Sequence, residues 1–518
     1  MVTNILSGTI QGLECKIINV EADVSSGLPC MDMIGLLGTE VKEAKERVRV
    51  ALKNCGISLP PARITINISP ANIRKEGTAY DIPIAVALLA SMKMIPEENT
   101  RGILFAGELS LDGEIKRIHG ILPMALEAKR QGIKHMIIPK GNAREGAVVE
   151  GVKITGVSNI KELIEYLGAD PGMQDIIIPP VTVDIKSLFN EAQSKSDEDY
   201  IDLCGQESLK RALMIAAAGF HNVLMIGPPG AGKTMAAKRM PGILPPLSLD
   251  ESMEVSKIYS VCGLLDESKS MVLKRPFMSP HHTISDAAMS GGGRIPGPGM
   301  ISRAHKGILF LDEAVHFSST SLEILRQPME DKKVIVSRTY GSYEFPAEFM
   351  LVAAVNPCPC GNYPDMNSCT CTPEQIRRYL SKLSGPILDR IDICIETPKI
   401  TLNDLSGEKK GMSSGYMREK VMKACEIQKE RYKGKGIEFN SQLSPKDMDE
   451  FIQLGREERK LVEEVYEKMN LSARGYHRIL KVARTIADID EDKDIKKKHI
   501  MEAVCYRGIE DKYWGNGI

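Results

Sequence analysis

The sequence has almost no net charge, no long apolar run and no N-terminal leader pattern. Its 67 Lys and Arg residues balance 68 Asp and Glu residues, which excludes a global basic field and confines any nucleic-acid surface to a local patch. The longest apolar stretch, residues 82–90, is much shorter than the ~20 residues of a membrane span. No basic segment followed by an apolar segment opens the chain. These absences predict a cytoplasmic protein without a membrane segment.

The residues that are present have the composition of an ordinary globular protein, 43% apolar and 26% charged, in a length that suits about three domains. Residues 1–167 mix β-rich runs with helical patterns, which predicts an α/β domain. Residues 168–199 contain two adjacent prolines and a polar run and are interpreted as a linker. Strands alternate with helices in residues 200–398, which predicts a parallel sheet. Residues 399–518 show helical spacing and are interpreted as an α-helical lid.

A phosphate-binding loop follows the predicted strand at residues 222–226. It matches the pattern G-x-x-x-x-G-K-[ST] and consists of Gly227, Pro228, Pro229, Gly230, Ala231, Gly232, Lys233 and Thr234. The glycines let backbone N–H groups cradle phosphate oxygens, Lys233 supplies charge to the β- and γ-phosphates of ATP, and the Thr234 hydroxyl is offered to Mg²⁺. A chance glycine-rich turn is the alternative, but the order of strand, loop and helix favours a nucleotide site.

Two further predicted strands end in polar residues that suit ATP hydrolysis. The strand at residues 307–311 is followed by Asp312 and Glu313, which is the Walker B pattern. Asp312 would hold Mg²⁺ through water, and Glu313 would polarise the attacking water. The strand at residues 349–355 is followed by Asn356, which would orient this water as a sensor 1 residue. The alternatives are solvated acids at a strand end and a common Asn-Pro turn.

Two arginines are candidates for stabilising the transition state. Arg390 stands at the edge of the second region, where it can reach the γ-phosphate of a neighbouring subunit as an arginine finger. The alternative is a salt bridge to Asp389 or Asp392. Arg474 opens a lid helix and is the candidate for sensor 2, with Arg478, one turn further on, as its competitor.

Four of the twelve cysteines form a cluster that suits a metal. Cys358, Cys360, Cys369 and Cys371 make two C-x-C pairs around a turn-forming segment. Four thiolates suit a tetrahedral, structural Zn²⁺ site with no open position. Four reduced thiols are the alternative, and a disulfide is disfavoured in a cytoplasmic chain.

A histidine pair and a glycine-rich segment have less specific patterns. His281 and His282 are adjacent, and adjacent histidines seldom face one ion, so that a loop role such as a DNA contact is favoured. The stretch 291–299, which contains Arg294, predicts a mobile loop that could track a nucleic-acid backbone in a ring. A disordered surface loop is the alternative.

The order of these elements resembles the magnesium-chelatase-like AAA+ ATPases of the YifB/ComM subfamily, over nearly the whole chain. The motifs that carry the resemblance are Ser279-Pro-His-His-Thr283, Gly291-Gly-Gly293, Ile301-Ser-Arg-Ala-His305, Asn356-Pro-Cys-Pro-Cys-Gly361 and Ser472-Ala-Arg-Gly-Tyr-His-Arg478. The resemblance implies a hexameric ring with ATP and Mg²⁺ sites between subunits. It also implies an N-terminal Lon-protease-like domain (ribosomal S5 domain 2-like), a P-loop AAA+ core and the helical lid. Met300 and Ala314-Val-His316-Phe317 depart from the family pattern, which puts pore or partner contacts in doubt.

The N-terminal region resembles a Lon-type peptidase that has lost its catalytic pair. Lon chemistry uses a serine that a lysine activates. The position of the serine holds Ala79, beside Thr78, and the position of the lysine falls near Leu122. Lys116 and Lys129 are out of register. We therefore expect a scaffold or substrate-docking domain that is not proteolytic.

Three functions are compatible with these patterns. The family resemblance favours a DNA motor that drives branch migration as a helicase, in recombination or DNA uptake. A chelatase-like factor that remodels a protein partner is the alternative. An ATP-dependent peptidase is disfavoured by the residues at positions 79 and 122.

Overall fold

The computed structural model describes residues 2–192, 198–293, 296–338, 341–365, 367–400 and 411–515. Its β-strands are β1 (Thr3–Gln11), β2 (Glu14–Ser25), β3 (Cys30–Ile34), β4 (Arg63–Ser69), β5 (Ile103–Phe105), β6 (Glu108–Leu109), β7 (Ile115–Lys116), β8 (His135–Pro139), β9 (Lys153–Val157), β10 (Val223–Ile226), β11 (Phe277–Met278), β12 (Gly291–Gly292), β13 (Gly297–Pro298), β14 (Ile308–Leu311), β15 (Lys333–Arg338), β16 (Gly341–Pro346), β17 (Met350–Val355) and β18 (Ile393–Glu396).

Its α-helices are α1 (Thr39–Asn54), α2 (Asp81–Ser91), α3 (Ile121–Arg130), α4 (Ala143–Gly146), α5 (Ile160–Gly168), α6 (Pro171–Ile177), α7 (Ile185–Ala192), α8 (Glu207–Gly219), α9 (Lys233–Arg239), α10 (Leu249–Val261), α11 (Asp286–Ser290), α12 (Met300–Arg303), α13 (Ser319–Ile324), α14 (Arg326–Asp331), α15 (Pro373–Leu380), α16 (Gly385–Leu388), α17 (Ser414–Arg431), α18 (Pro445–Phe451), α19 (Arg456–Lys468), α20 (Ala473–Ile489) and α21 (Lys497–Trp514). The α/β fold class with a helical C-terminal region is confirmed.

The N-terminal domain is built around a mixed sheet in the order β3-β4-β2-β1-β5-β8-β9. Side chains alternate between the two faces of a strand, and in β8 Ile137 joins the core beneath α1, α2 and α5. Met136 and Ile138 join the core beneath α3 and α4 on the other face. One of the β-rich runs, at residues 102–109, is divided between β5 and β6. The chain passes close to α2 at this break, because a Cβ at Gly107 would lie 2.3 Å from Ile82 Cδ1.

The second domain contains a parallel sheet in the order β11-β14-β17-β10-β18. β10, β14 and β17 are buried along their whole length, as expected for strands covered on both faces. β17 separates β10 from β14, so that the three predicted strands end side by side. The loops that follow them therefore meet at the carboxyl edge of the sheet.

Two hairpins are inserted into this domain. The stretch predicted as a loop at residues 291–299 contains the short antiparallel pair β12–β13, and Arg294 lies outside the described residues. β15 and β16 form a second antiparallel hairpin, which lies against β12.

The C-terminal helices pack directly on the second domain. Val482, Ala483 and Ile486 of α20 share one hydrophobic core with α8 and with β10. The last helix, α21, also reaches the sheet, since the Tyr513 hydroxyl donates a hydrogen bond of 2.7 Å to Glu396 at the end of β18. The helical region is therefore held against the sheet along much of its length. No helix in the described part of the chain is long and apolar enough to cross a membrane.

Two connections between the domains were not anticipated. The segment 168–199, predicted as a linker, contains α6 and α7, and its residues 193–197 lie outside the described ranges. In addition, the start of α3 meets the end of α10. Ser260 accepts a hydrogen bond from the Gly120 N–H at 3.1 Å, and its hydroxyl donates one of 2.5 Å to buried Glu145.

Candidate nucleotide site

The phosphate-binding loop joins the end of β10 to the start of α9. Gly230 and Gly232 have φ values of +78° and +84°, in the left-handed region that favours glycine. A Cβ at Gly232 would also lie 2.6 Å from Leu203 Cδ1. The glycines of the sequence pattern are thus required by the backbone conformation as well as by the approach of a phosphate.

The Lys233 ammonium lies inside this loop and is surrounded by oxygen atoms. It donates hydrogen bonds to the carbonyl oxygens of Gly227 at 2.5 Å and Pro228 at 2.9 Å, and to Asn356 Oδ1 at 3.1 Å. Burial lowers the pKa of Lys233 to about 8, against the opposing effect of nearby carboxylates. The site therefore holds a desolvated cation that an anionic ligand would stabilise.

The remaining predicted residues of the site stand opposite this lysine. The Thr234 hydroxyl donates a hydrogen bond of 2.8 Å to Asp312 Oδ2, so that the two candidate Mg²⁺ ligands are already adjacent. Asp312 Oδ1 accepts the Glu313 N–H at 3.0 Å. Glu313 has a φ of +50°, a conformation that costs a residue other than glycine about 1–3 kcal/mol and is frequent at functional sites.

These side chains line one open cleft of about 450 Å³. Its walls come from the phosphate-binding loop, from Asp312 and Glu313 after β14, and from Asn356 after β17. The structure therefore brings together all the predicted nucleotide residues except the two arginines. Oxygen ligands next to a lysine suit Mg²⁺ bound to a nucleotide phosphate.

The candidate arginines lie at the opposite end of the sheet. Asn222, which precedes β10, donates a hydrogen bond of 2.8 Å to the carbonyl oxygen of Arg390, while the phosphate-binding loop follows the other end of β10. Arg390 does not pair with either aspartate named as an alternative, but with Glu330 at 2.5 Å. Arg474 lies 3.3 Å from the same Glu330 oxygen.

Arg478, the competitor of Arg474, is a packing residue in this structure. Its side chain is 12% exposed, and its Nε lies 3.6 Å from Asp392 Oδ1. Asp392 also accepts the Asn222 N–H at 2.9 Å, and its contacts with His221 and Arg478 hold its pKa far below the usual range. Arg474, at 61% exposure, is the more accessible of the two.

The four clustered cysteines have all their sulfur atoms within 4.8 Å of one another. The Sγ separations include 3.3 Å for Cys358–Cys360, 3.8 Å for Cys358–Cys369 and 3.6 Å for Cys360–Cys369. Tetrahedral ligands at the usual Zn–S distance lie about 3.8 Å apart, so that the donor set fits Zn²⁺. All twelve cysteines are free, which excludes the disulfide alternative in this structure.

The cysteine loop contacts the nucleotide site. Gly361 has a φ of +82°, and a Cβ there would lie 2.5 Å from Pro229 Cδ in the phosphate-binding loop. Cys358 is also separated from Asn356 by a single residue. The cluster is therefore placed to fix the position of both the loop and Asn356.

The histidine pair does not form a metal site among the described residues. The His281 and His282 rings lie 4.1 Å apart, and His282 lies 6.0 Å from His316. His281 Nδ1 is within 2.8 Å of the Thr283 hydroxyl. The pair thus lies in a loop, as predicted, near His316, which follows Asp312 and Glu313 in the chain. The DNA contact stays a prediction.

The N-terminal domain contains a cavity of about 310 Å³ next to Thr78. Ala79 and Leu122, which occupy the predicted catalytic positions, are both buried in one hydrophobic core. The cavity lining given by the described residues includes Arg117 and His119 but no lysine. The described lining of this cavity contains neither a serine nor a lysine that could act as the catalytic pair.

A phosphate-binding loop and a Walker B pair at the carboxyl edge of this parallel sheet, followed by a helical lid, define the core of an AAA+ ATPase. Three family models match the chain. The model of the magnesium chelatase subunit ChlI matches residues 199–405, and the model of subunit ChlI of Mg-chelatase matches residues 20–142. The model of the C-terminal region of the magnesium chelatase subunit ChlI matches residues 411–507.

The chain belongs to the YifB/ComM family of magnesium-chelatase-like proteins. It is similar to the uncharacterized protein YifB of Salmonella typhimurium, at 41% identity over 96% of both chains. It is also similar to the competence protein ComM of Haemophilus influenzae, at 39% identity over 98% of this chain and 97% of that protein. A shorter match, 30% identical over 25% of this chain and 23% of that protein, is to Lon protease 2 of Bacillus subtilis.

Proposed function

We propose that this protein hydrolyses ATP and uses the energy to move along DNA as a ring-shaped motor. The observation that carries the ATPase is the single cleft in which Lys233, the Thr234–Asp312 pair and Glu313 face one another. Phosphoryl transfer depends mainly on positioning and on stabilisation of charge, and these residues provide both.

Each residue has a role that follows from its place in the cleft. Lys233 binds the β- and γ-phosphates, while Thr234 and Asp312 would hold Mg²⁺. When bound there, Mg²⁺ would neutralise charge on the phosphates. Glu313 accepts a proton from the attacking water, and Asn356, which already accepts a hydrogen bond from Lys233, orients the water and the γ-phosphate. Backbone N–H groups of the loop cradle the remaining phosphate oxygens.

A ring of subunits completes this site. Arg390 and Arg474 lie at the end of the sheet opposite the phosphate-binding loop of their own chain. Arg390 would reach the γ-phosphate bound by a neighbouring subunit as an arginine finger acting in trans. Arg474, predicted as the sensor 2 residue of the lid, lies beside it and would act on the same neighbouring phosphate. A hexamer, as the family resemblance implies, places one such pair at every nucleotide.

The DNA part of the proposal is supported by the two hairpins and by a relative. A Cβ at Gly292 in β12 would lie 3.0 Å from the guanidinium of Arg338, the exposed last residue of β15. A cation beside a glycine-rich backbone suits a phosphate chain that passes through a ring. The similar ComM protein is named for competence, and this name favours DNA over other substrates.

The test is ATP turnover with and without single-stranded, duplex and four-way-junction DNA. We expect DNA to stimulate turnover, and Glu313→Gln to abolish turnover while ATP still binds. Arg338→Ala should remove most of the stimulation and leave basal turnover intact, whereas Arg49→Ala, an exposed arginine of α1, should change neither. Turnover that no DNA affects would refute the DNA motor and redirect the search to a protein partner of the chelatase type.

The cysteine cluster is proposed as a structural Zn²⁺ site. Its sulfur separations match tetrahedral ligands. Elemental analysis of protein purified without added metal should find about one zinc per chain. Cys369→Ser combined with Cys371→Ser should lose this zinc, whereas Cys30→Ser, an exposed isolated cysteine, should retain it. Protein without zinc, whose clustered thiols all react with a thiol reagent, would refute the site.

A further inference from the structure

Glu330 of α14 binds the two candidate trans-acting arginines with a single oxygen atom. Its Oε1 lies 2.5 Å from Arg390 Nη2 and 3.3 Å from Arg474 Nη2. Two guanidinium groups repel each other unless an anion lies between them. The carboxylate of Glu330 is therefore the anion that holds these two guanidinium groups close together.

Arg390 is not available to another molecule while this contact persists. Its side chain is 9% exposed, and its Nη1 donates a hydrogen bond of 2.5 Å to the Pro386 carbonyl oxygen. Its Nε is buried and has no hydrogen-bond partner among the described residues. An arginine with one unsatisfied donor gains from moving to an acceptor that can engage it more completely.

Glu330 itself is well placed to release the arginines. Its side chain is 45% exposed, and its contact with Arg474, which is 61% exposed, is an exposed ion pair that contributes little to stability. A nucleotide triphosphate presents several charged oxygens and forms stronger, bidentate contacts with guanidinium groups. A phosphate brought near this face would therefore compete with the carboxylate for the same two cations.

We propose that Glu330 is a positioning residue that holds Arg390 and Arg474 together in the unengaged subunit and exchanges them for the γ-phosphate of the neighbouring subunit. The inference rests on the proposed function, because it requires a nucleotide bound between subunits. Glu330 thus sets how readily a neighbour's ATP is engaged, and it does not contact that ATP.

The test compares the steady-state kinetics of Glu330→Gln with those of the wild-type protein. Glutamine keeps the size of the side chain but removes its charge, so that the arginines transfer to phosphate more easily. We expect the KM for ATP to fall about two- to fivefold, the change that loss of an exposed ion pair allows, with kcat nearly unchanged. Glu491→Gln is the matched control, since Glu491 is 49% exposed and also lies near two cations, Lys420 and Lys423.

Variants of the arginines separate the inference from the proposed function. Arg390→Ala and the more exposed Arg474→Ala should each lower kcat, and Glu330→Gln should have no further effect on KM in the double variant that lacks both arginines. A higher KM or a lower kcat for Glu330→Gln alone would overturn the inference, because the carboxylate would then support catalysis instead of restraining the arginines. An unchanged KM alongside loss of kcat in the arginine variants would overturn it too, and would leave the proposed function standing.

Two further outcomes also decide the matter. If both arginine variants retain full turnover, the trans-acting arginines of the proposed function are refuted together with the inference. A purely structural role of Glu330 would lower the melting temperature and kcat without a selective fall in KM, and this result would overturn the inference. Melting curves of every variant, recorded with and without ATP, distinguish this case from loss of folding in Arg390→Ala.

Discussion

ATP binding should weaken steeply above pH 8, because it depends on the charge of one buried lysine. Lys233 is 8% exposed, and burial lowers its pKa from the ordinary value of 10.5 to about 8. The ammonium is charged below this pH and loses its proton as the pH rises through it. Phosphate oxygens favour the charged form, so that the pKa must rise again when ATP binds.

The magnitude follows from the linkage between proton binding and ligand binding. The Kd for ATP should be nearly constant up to about pH 7.5 and then rise about tenfold per pH unit above pH 8. Binding should take up about 0.8 proton at pH 8.5 but only about 0.1 proton at pH 7, where the free lysine is already charged.

Isothermal titration calorimetry of Glu313→Gln with ATP and Mg²⁺ measures this proton uptake directly. The titration is run at each pH in two buffers that differ in ionisation enthalpy, and the difference in heat gives the protons bound. Lys481→Met is the matched control, because burial also lowers the pKa of Lys481, which lies on the lid helix α20. Proton uptake should persist in this variant. A Kd that stays flat to pH 9.5, without uptake at pH 8.5, would refute the reasoning.

Three further outcomes test the surroundings of the site. Gly361→Ala should destabilise the protein by at least about 1–2 kcal/mol, the cost of a side chain in the left-handed region, and should weaken ATP binding through Pro229; Gly385→Ala, with nothing within 4 Å of the added Cβ, should do neither. Asp392→Asn should cost about 3 kcal/mol in urea denaturation, because it leaves the buried charge of Arg478 without its partner; a loss below 1 kcal/mol would contradict this. Removal of metal from the cysteine cluster by a chelator should raise the Kd for ATP, whereas an unchanged Kd would show that the cluster does not support the loop.

The nucleotide cleft was accessible to sequence reasoning because each of its parts ends a strand. β10, β14 and β17 are continuous apolar runs, and their predicted bounds differ from the observed ones by a single residue at the amino end. Side chains that follow parallel strands meet at the same edge of a sheet. The sequence could not give the strand order, which inserts β17 between β10 and β14 and places Asn356 beside Lys233.

The features that sequence reasoning missed depend on contacts between distant residues. Glu330 is 60 residues from Arg390 and 144 residues from Arg474 in the chain, and a lone glutamate in a helical pattern carries no signal of either contact. The hydrogen bonds of Ser260 to the start of α3 likewise join two domains whose sequences show no sign of it. The helices within residues 168–199 were obscured by the two prolines and the polar run, which are typical of a linker.

The parallel sheet separates the two halves of the proposed hydrolysis site by its own length. The phosphate-binding loop follows the carboxyl end of β10, while Arg390 is hydrogen-bonded through its carbonyl oxygen to Asn222 at the amino end. Arg390 is held at this amino end, where its Nη2 pairs with Glu330 at 2.5 Å. Under the proposed function, a single chain would bind ATP without the cations that stabilise the transition state, and we expect hydrolysis to require a neighbour. In a ring with this arrangement, the occupancy of one nucleotide site depends on the position of the next subunit, and this dependence is what sequential movement along a polymer requires.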